Sequence, residues 1–326
     1  MRAVYYDRQG PADEVLQIGE LPDPEPGPGE VRVRLRYSGI SPGDTKKRGG
    51  YFGSTMPYPR VIPHSDGSGT IDRVGDGVDP NRIGQRVWVY NAQSYRPFGT
   101  AADYTVVPDA TAVPLPDGVD DQLGACLGIP GITAHRAVFA DGPVDGQTLL
   151  VHGALGAVGS LAAQLATWGG AIVITTVRRR SDLAASSGPL ADRAVALDDP
   201  EAEQLIRQHA PDGVDRIIEV AFSDNITLDA AVAANGAVIA AYATRDPRPR
   251  LDFWPMLFDN LTIRLLGSDD FPADAKAMAA RDLTTAAHSG QLTVPVGAPF
   301  PIDQVAAAHD QVDRNNRQRV LLDLAP

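Results

Sequence analysis

Through the first third of the chain, apolar positions come in short runs at residues 2–6, 15–18, 30–38, 69–74, 86–90 and 101–106. Turn residues interrupt them, above all the cluster Pro22-Asp23-Pro24-Glu25-Pro26-Gly27-Pro28-Gly29. Proline removes a ladder donor and glycine permits tight turns, so these runs read as short strands of a small β-rich domain.

After Pro116 the pattern changes. A buried-strand run at 148–152 precedes helical periodicity at 157–168, and 171–177 is again strand-like and β-branched. Runs at 216–221, 237–242 and 261–266 follow at similar spacing, with helical stretches between the earlier ones. Strands alternating with helices predict βαβ units and a parallel sheet, an α/β fold. The tail reads as helices at 273–288 and 302–314, then a strand at 320–324 that rejoins the first domain and makes it discontinuous.

A length of 326 residues favours two domains over one core, since single cores stop growing near ~250–300 residues. No apolar run approaches the ~18–20 residues that span a bilayer. The N-terminus enters a strand pattern at once, without a signal-like apolar segment, so a soluble, cytoplasmic protein is expected. A net charge of −12 disfavours nucleic acid and anionic membranes as partners, because like charges repel. Cys126 is the single cysteine. It excludes an intramolecular disulfide and any cluster of thiolates around zinc, and no metal is expected.

The sharpest motif is the turn Gly153-Ala154-Leu155-Gly156-Ala157-Val158-Gly159 between a predicted strand and a predicted helix. One glycine permits the turn, a second lets the backbone approach a pyrophosphate, and a third allows helix and strand to pack closely. The helix N-terminus then offers free N–H groups to an anion. A tight strand-to-helix connection in another α/β sheet is the competing explanation, but the GxSxG elbow of hydrolases is absent.

About 20 residues further on, a carboxylate would hold the ribose hydroxyl of NAD. Here the strand ends in Arg178-Arg179-Arg180-Ser181. Guanidinium groups there suit a 2′-phosphate, which favours NADPH, although a solvated charge run would look the same. Arg179 or Arg180, with Ser181, is favoured over Arg178 as the contact, and spacing does not choose between the arginines.

The runs Leu127-Gly128-Ile129-Pro130-Gly131-Ile132-Thr133-Ala134 and Thr148-Leu149-Leu150-Val151-His152-Gly153-Ala154 resemble the zinc-free quinone oxidoreductase (zeta-crystallin-like) branch of the medium-chain dehydrogenases/reductases. So do Ser41-Pro42-Gly43-Asp44, Pro63-His64-Ser65-Asp66-Gly67-Ser68-Gly69, Gly84-Gln85-Arg86-Val87 and Leu261-Thr262-Ile263-Arg264. The resemblance implies a GroES-like catalytic domain at 1–122 and 268–326, a doubly wound Rossmann domain at 123–267 that binds NADPH, an active site between them, and a homodimer. It also implies that three zinc-ligand positions of metal-dependent relatives fall near Ser41, His64-Ser65-Asp66 and Ile129.

Hydride delivery from a nicotinamide calls for donors that stabilise charge on the acceptor oxygen. Tyr51, or Phe52 if the register is one residue off, lies near the family's active-site tyrosine. It would donate a hydrogen bond, or simply pack a loop. Ser41 stands where the family commonly has Asn, Asp44 keeps its motif place but also suits a cap, and His64 could relay a proton or be structural. The resemblance further puts Thr133 and Arg319 beside the cofactor. His152 reads as structural, while Tyr242, Gly267 and Ser268 lie at carboxyl ends of strands, where ligands bind in open α/β sheets.

The expected activity is a zinc-independent, NADPH-dependent reduction of a quinone or α,β-unsaturated carbonyl. An enoyl-thioester reductase of the same fold and a non-catalytic NADPH-binding redox sensor are the alternatives.

Overall fold

The computed structural model describes residues 1–51, 55–186, 188–314 and 317–325. Phe52 lies outside them. The chain divides into two units, one formed by Met1–Pro130, Ala280–His288 and Thr293–Pro326, the other by Gly131–Ala279 and Ser289–Leu292. Segment 123–130 therefore falls in the first unit and 268–279 in the second.

In the first unit β1 (Arg2–Tyr5) and β2 (Gln17–Glu20) form an antiparallel pair around the short helix α1 (Ala12–Val15). The strand expected at 15–18 is thus displaced: Pro11 caps a helical turn that buries Ala12 and Val15, as its fixed φ suits a helix start. The larger sheet is organised on β3 (Glu30–Ile40), which α2 (Pro42–Gly49) follows. One edge of β3 pairs along its length with β4 (Asp66–Val74), and β4 with β5 (Arg86–Val89). The other edge takes β6 (Tyr104–Pro108) at residues 30–34, while β7 (Ala112–Pro114) adds to β5. A Cβ at Gly69 would lie 2.1 Å from the Arg34 carbonyl oxygen, so β4 needs glycine where it crosses β3. Helix α3 (Asp121–Gly124) ends this half of the unit.

The second unit begins in α4 (Ile129–Phe139). It continues through β8 (Thr148–Val151), α5 (Ala157–Trp168), β9 (Ile172–Val177), β10 (Ala194–Ala196), α6 (Ala202–His209), β11 (Val214–Glu219), α7 (Phe222–Val232), β12 (Ala233–Ala241), α8 (Phe253–Phe258) and β13 (Thr262–Leu265). All six strands are parallel, in the order β10-β9-β8-β11-β12-β13. Chain order runs outward from β8 in one direction and from β11 in the other, the doubly wound arrangement with its switch point between those two strands. Leu150, Ile174, Val195, Ile206, Ile217, Phe222 and Ile239 form the core beneath it.

Helix α9 (Ala273–His288) leads from the second unit into the first. There β14 (Phe300–Pro301), α10 (Val305–Asp313) and β15 (Val320–Asp323) complete the chain. Strand β15 pairs antiparallel with the free half of β3, Val320 opposite Ile40 and Asp323 opposite Tyr37. Both ends of the chain therefore build one sheet, and Leu322 joins Val31, Val33 and Ile71 in its core.

Candidate functional site

The glycine turn leaves the end of β8, beside the switch point. Gly153 has φ +64, in the left-handed region that glycine enters without steric cost. At Gly159 a Cβ would sit 2.3 Å from the Gly153 carbonyl oxygen, so the first turn of α5 lies directly on the loop. Gly156 caps α5 and donates its N–H back to the Gly153 carbonyl at 2.8 Å. Ala157, Val158 and Gly159 begin the helix, where N–H groups have no intrahelical acceptor. The N–H of Ala154 is engaged within the protein, donating to the Thr176 carbonyl at 3.3 Å. Leu155 completes the loop.

At the end of the neighbouring strand β9, Arg178, Arg179, Arg180 and Ser181 are exposed. Arg180 is committed: its N–H donates to Asp198 at 2.8 Å and its guanidinium to Asp199 at 2.7 Å. Arg178 and Arg179 have no ion-pair partner among the described residues.

Beneath the turn, His152 is fully buried. Its Nδ1 lies 2.8 Å from Thr176 Oγ1, and its Nε2 lies 2.8 Å from Asp229 Oδ1 and 3.5 Å from Glu219 Oε2. Glu219 accepts from Asn225 Nδ2 and from the N–H of Ala221. Burial opposes a charge on His152, yet the Asp229 carboxylate and then Glu219 raise its pKa. Burial likewise raises that of Glu219. Tyr242 follows β12, its N–H bonded to the Glu219 carbonyl and its phenol pushed up by burial. Gly267 is exposed beyond β13, and Ser268 opens a short 3₁₀ turn. Thr133 is buried in the second turn of α4 rather than at a helix start.

In the first unit the candidates gather on Asp66. Asp44 accepts the Ser41 N–H at 2.7 Å and so caps α2. Ser41 Oγ donates to Asp66 Oδ2 at 3.3 Å, and the Ile129 N–H donates to Asp66 Oδ1 at 2.7 Å. Arg319 closes the group, with Nη1 2.9 Å from the Ile40 carbonyl and Nη2 3.5 Å from Asp66 Oδ2. Burial pushes the Asp66 carboxyl up to about 7, against the opposing pull of Arg319. The three positions compared above with zinc ligands are thus drawn together around a carboxylate and a guanidinium. Their donor set is a hydroxyl, a carboxylate and a backbone amide, without a thiolate.

His64 occupies the left-handed region at φ +74 and is fully buried. Its tautomer follows from its neighbours. Thr100 Oγ1 donates to the Asp66 carbonyl at 2.6 Å, so Ser38 Oγ donates to Thr100 at 2.7 Å and accepts from His64 Nδ1 at 2.9 Å. His64 Nε2 then accepts from His309 Nε2 at 2.8 Å. Burial keeps both rings neutral, holding His64 well below its ordinary value and His309 down at about 3. This chain of bonds ends on a backbone carbonyl and leaves neither His64 nitrogen for a substrate. Tyr51, by contrast, is 62% exposed after α2.

Sequence reasoning passed over Glu219, Asn225, Asp229 and His309. Each polar side chain lies on an ordinary strand end or helix, and only the tertiary fold turns them towards His152 and His64. Asp66 was in view as part of a motif, without a role.

Residues 27–117 match the alcohol dehydrogenase GroES-like domain family. Human quinone oxidoreductase is 29% identical over 321 residues, covering 96% of this chain and 94% of that protein. A solved NAD-dependent alcohol dehydrogenase superposes with a TM-score of 0.86 at 26% identity, over 100% of both chains. A mycobacterial quinone oxidoreductase does so with a TM-score of 0.86 at 25% identity, over 99% of each. Taken with the doubly wound sheet and its glycine turn, these likenesses make the chain an oxidoreductase that carries an alcohol dehydrogenase GroES-like domain and is similar along nearly its whole length to quinone oxidoreductases.

Proposed function

We propose that the chain is a cytoplasmic, NADPH-dependent reductase of quinones or α,β-unsaturated carbonyls. The observation that carries this reading is the meeting, beside one switch point, of a turn whose Gly159 admits no side chain with two arginines outside any ion pair among the described residues, at the end of the next strand. A dinucleotide fits this cradle: Gly153, Gly156 and Gly159 would receive its pyrophosphate, and Arg178 and Arg179 its 2′-phosphate. When bound, the nicotinamide supplies the hydride. Thr133, Tyr242, Gly267, Ser268 and Ser181 are assigned to flanking contacts with it.

Ser41, Asp66 and Ile129 offer no thiolate, so the charge that develops on the acceptor oxygen must be met by hydrogen-bond donors. Tyr51 is the exposed phenol among the candidates and is assigned that part. Asp44, His64 and Arg319 are assigned to holding the domain, because the hydrogen bonds they make lie within it. The quinone class is favoured by the relationship to human quinone oxidoreductase.

The reading extends to a homodimer built on β13. Among the described residues this strand is an unpaired edge of the six-stranded sheet, and Leu265 on it is 75% exposed. Trp254, Leu257 and Phe258 of the preceding α8 are exposed too. An open edge with neighbouring apolar side chains suits pairing with a second copy.

The deciding experiment follows oxidation of NADPH and of NADH in the presence of a panel of quinones, enones and enoyl thioesters. Faster turnover with NADPH and a quinone or enone is expected. Tight NADPH binding with no acceptor reduced would instead favour a redox sensor, and preference for a thioester the enoyl reductase.

A further inference from the structure

We infer that His152 is a positioning residue for the cofactor turn, and that its buried contacts with Glu219 and Asp229 make anion binding at that turn weaken as pH rises. The inference rests on the dinucleotide reading above.

The geometry ties one side chain to three strand ends. His152 is the residue between β8 and Gly153, and it bonds Thr176 at the end of β9. That strand leads directly to Arg178. Its other nitrogen meets Asp229 on α7 and Glu219 at the end of β11, and these facing atoms all lie within 4.8 Å of one another. Thr176 is held a second time, through its carbonyl, by the Ala154 N–H within the turn. The imidazole therefore fixes the spacing between the pyrophosphate turn and the arginine-bearing strand end.

The cluster has two carboxylates and one imidazole. Asn225 on α7 and Tyr242 after β12 are further polar neighbours, and no Lys or Arg forms an ion pair with the cluster among the described residues. With His152 protonated and both carboxylates ionised it carries one net negative charge, and loss of that proton leaves two. Whichever group releases a proton first, the charge beneath the turn becomes more negative as pH rises. Asp229 Oδ2 is buried without a hydrogen-bond partner, so nothing else compensates that charge. An anionic cofactor is repelled accordingly, and by linkage its binding favours the protonated cluster.

The test is the NADPH dissociation constant from pH 6 to 9 for the parent and for Glu219→Gln, which keeps an acceptor for Ala221 and removes an ionisable group. Titration of the 2′-phosphate and of the arginines is common to both proteins and cancels in their ratio. The parent should lose affinity relative to the variant by on the order of tenfold across the range, as expected for one unit charge at close quarters in protein. Parallel pH profiles would overturn the inference while leaving the cofactor reading intact. Absence of NADPH binding at every pH would overturn both. Should Glu219→Gln not fold, Asp229→Asn serves, and the parent alone supplies a third readout. Ring nitrogen shifts of His152 should titrate at higher pH with NADPH bound than without, and an unchanged midpoint refutes the coupling.

Discussion

Asp66 and Arg319 face each other inside the first unit, Oδ2 and Nη2 3.5 Å apart, with almost no side-chain surface left to water. The pair joins β4 to the start of β15, residues far apart in sequence. Removing one partner of a buried pair leaves the other uncompensated, at about 3–5 kcal/mol. Arg319→Met should therefore be markedly less stable than the parent in urea unfolding above neutral pH. The folded pKa of Asp66, about 7, lies above its ordinary value of 3.8. Its contribution is thus complete below 3.8 and lost as pH rises through 7. The deficit of Arg319→Met should grow as pH rises past about 7, where Asp66 ionises beside Arg319 in the parent and has no counter-charge in the variant, and an equal deficit at pH 5 and pH 8 would count against the assignment.

His64 and His309 predict the opposite slope. Both are held neutral by burial, His309 with a pKa near 3. A depressed histidine contributes stability above its ordinary value of 6.5 that is lost as pH falls through the folded value. Between pH 6.5 and 4 the parent should lose urea stability relative to His309→Gln. A difference between the two proteins that stays constant over that range would be inconsistent with a neutral buried pair.

Gly159→Ala brings a Cβ to 2.3 Å from the Gly153 carbonyl. Backbone cannot yield cheaply there, so a loss of about 1–3 kcal/mol in stability and at least tenfold in NADPH affinity is expected. Gly267→Ala meets nothing within 4 Å and should leave stability unchanged. Thermal unfolding and cofactor titration of the two variants make the comparison.

The double variant Arg178→Ala/Arg179→Ala should weaken NADPH by roughly tenfold or more while leaving NADH unaffected, since charge-assisted hydrogen bonds are worth about 1.5–3 kcal/mol. Arg180→Ala loses an ion pair whose arginine is 63% exposed, worth at most about 1 kcal/mol. Its effect on nucleotide preference should be smaller. Equal losses for NADPH and NADH in the double variant would refute the phosphate assignment.

Leu265→Asp should yield monomers in sedimentation velocity if β13 pairs with a second copy, because a charge on an apolar edge opposes association. A dimer that survives Leu265→Asp together with Trp254→Asp would place the interface elsewhere.

Periodicity alone was enough for α5, β9 and the parallel sheet, because the residues that bury a helix stripe or a strand face are local in sequence. The glycine turn was equally legible: Gly153 and Gly159 act through backbone sterics that depend on a few neighbouring residues. Strand edges were harder. The run at 15–18 carries apolar residues, yet Pro11 and the burial of Ala12 and Val15 turned part of it into a helix.

What sequence by itself determined, then, is the order of elements, the absence of paired cysteines and the glycine turn with the arginines that follow the next strand. Tertiary structure decided the fate of the polar side chains. Nothing local to His64 foretells a bond to His309, 245 positions away, nor does Arg319 announce the carboxylate it meets. Hydrogen bonds and ion pairs reach across a few ångströms of space, and only folding sets which residues share that space. For the same reason His152, an ordinary strand-end residue in sequence, becomes the buried link between the turn and its arginines.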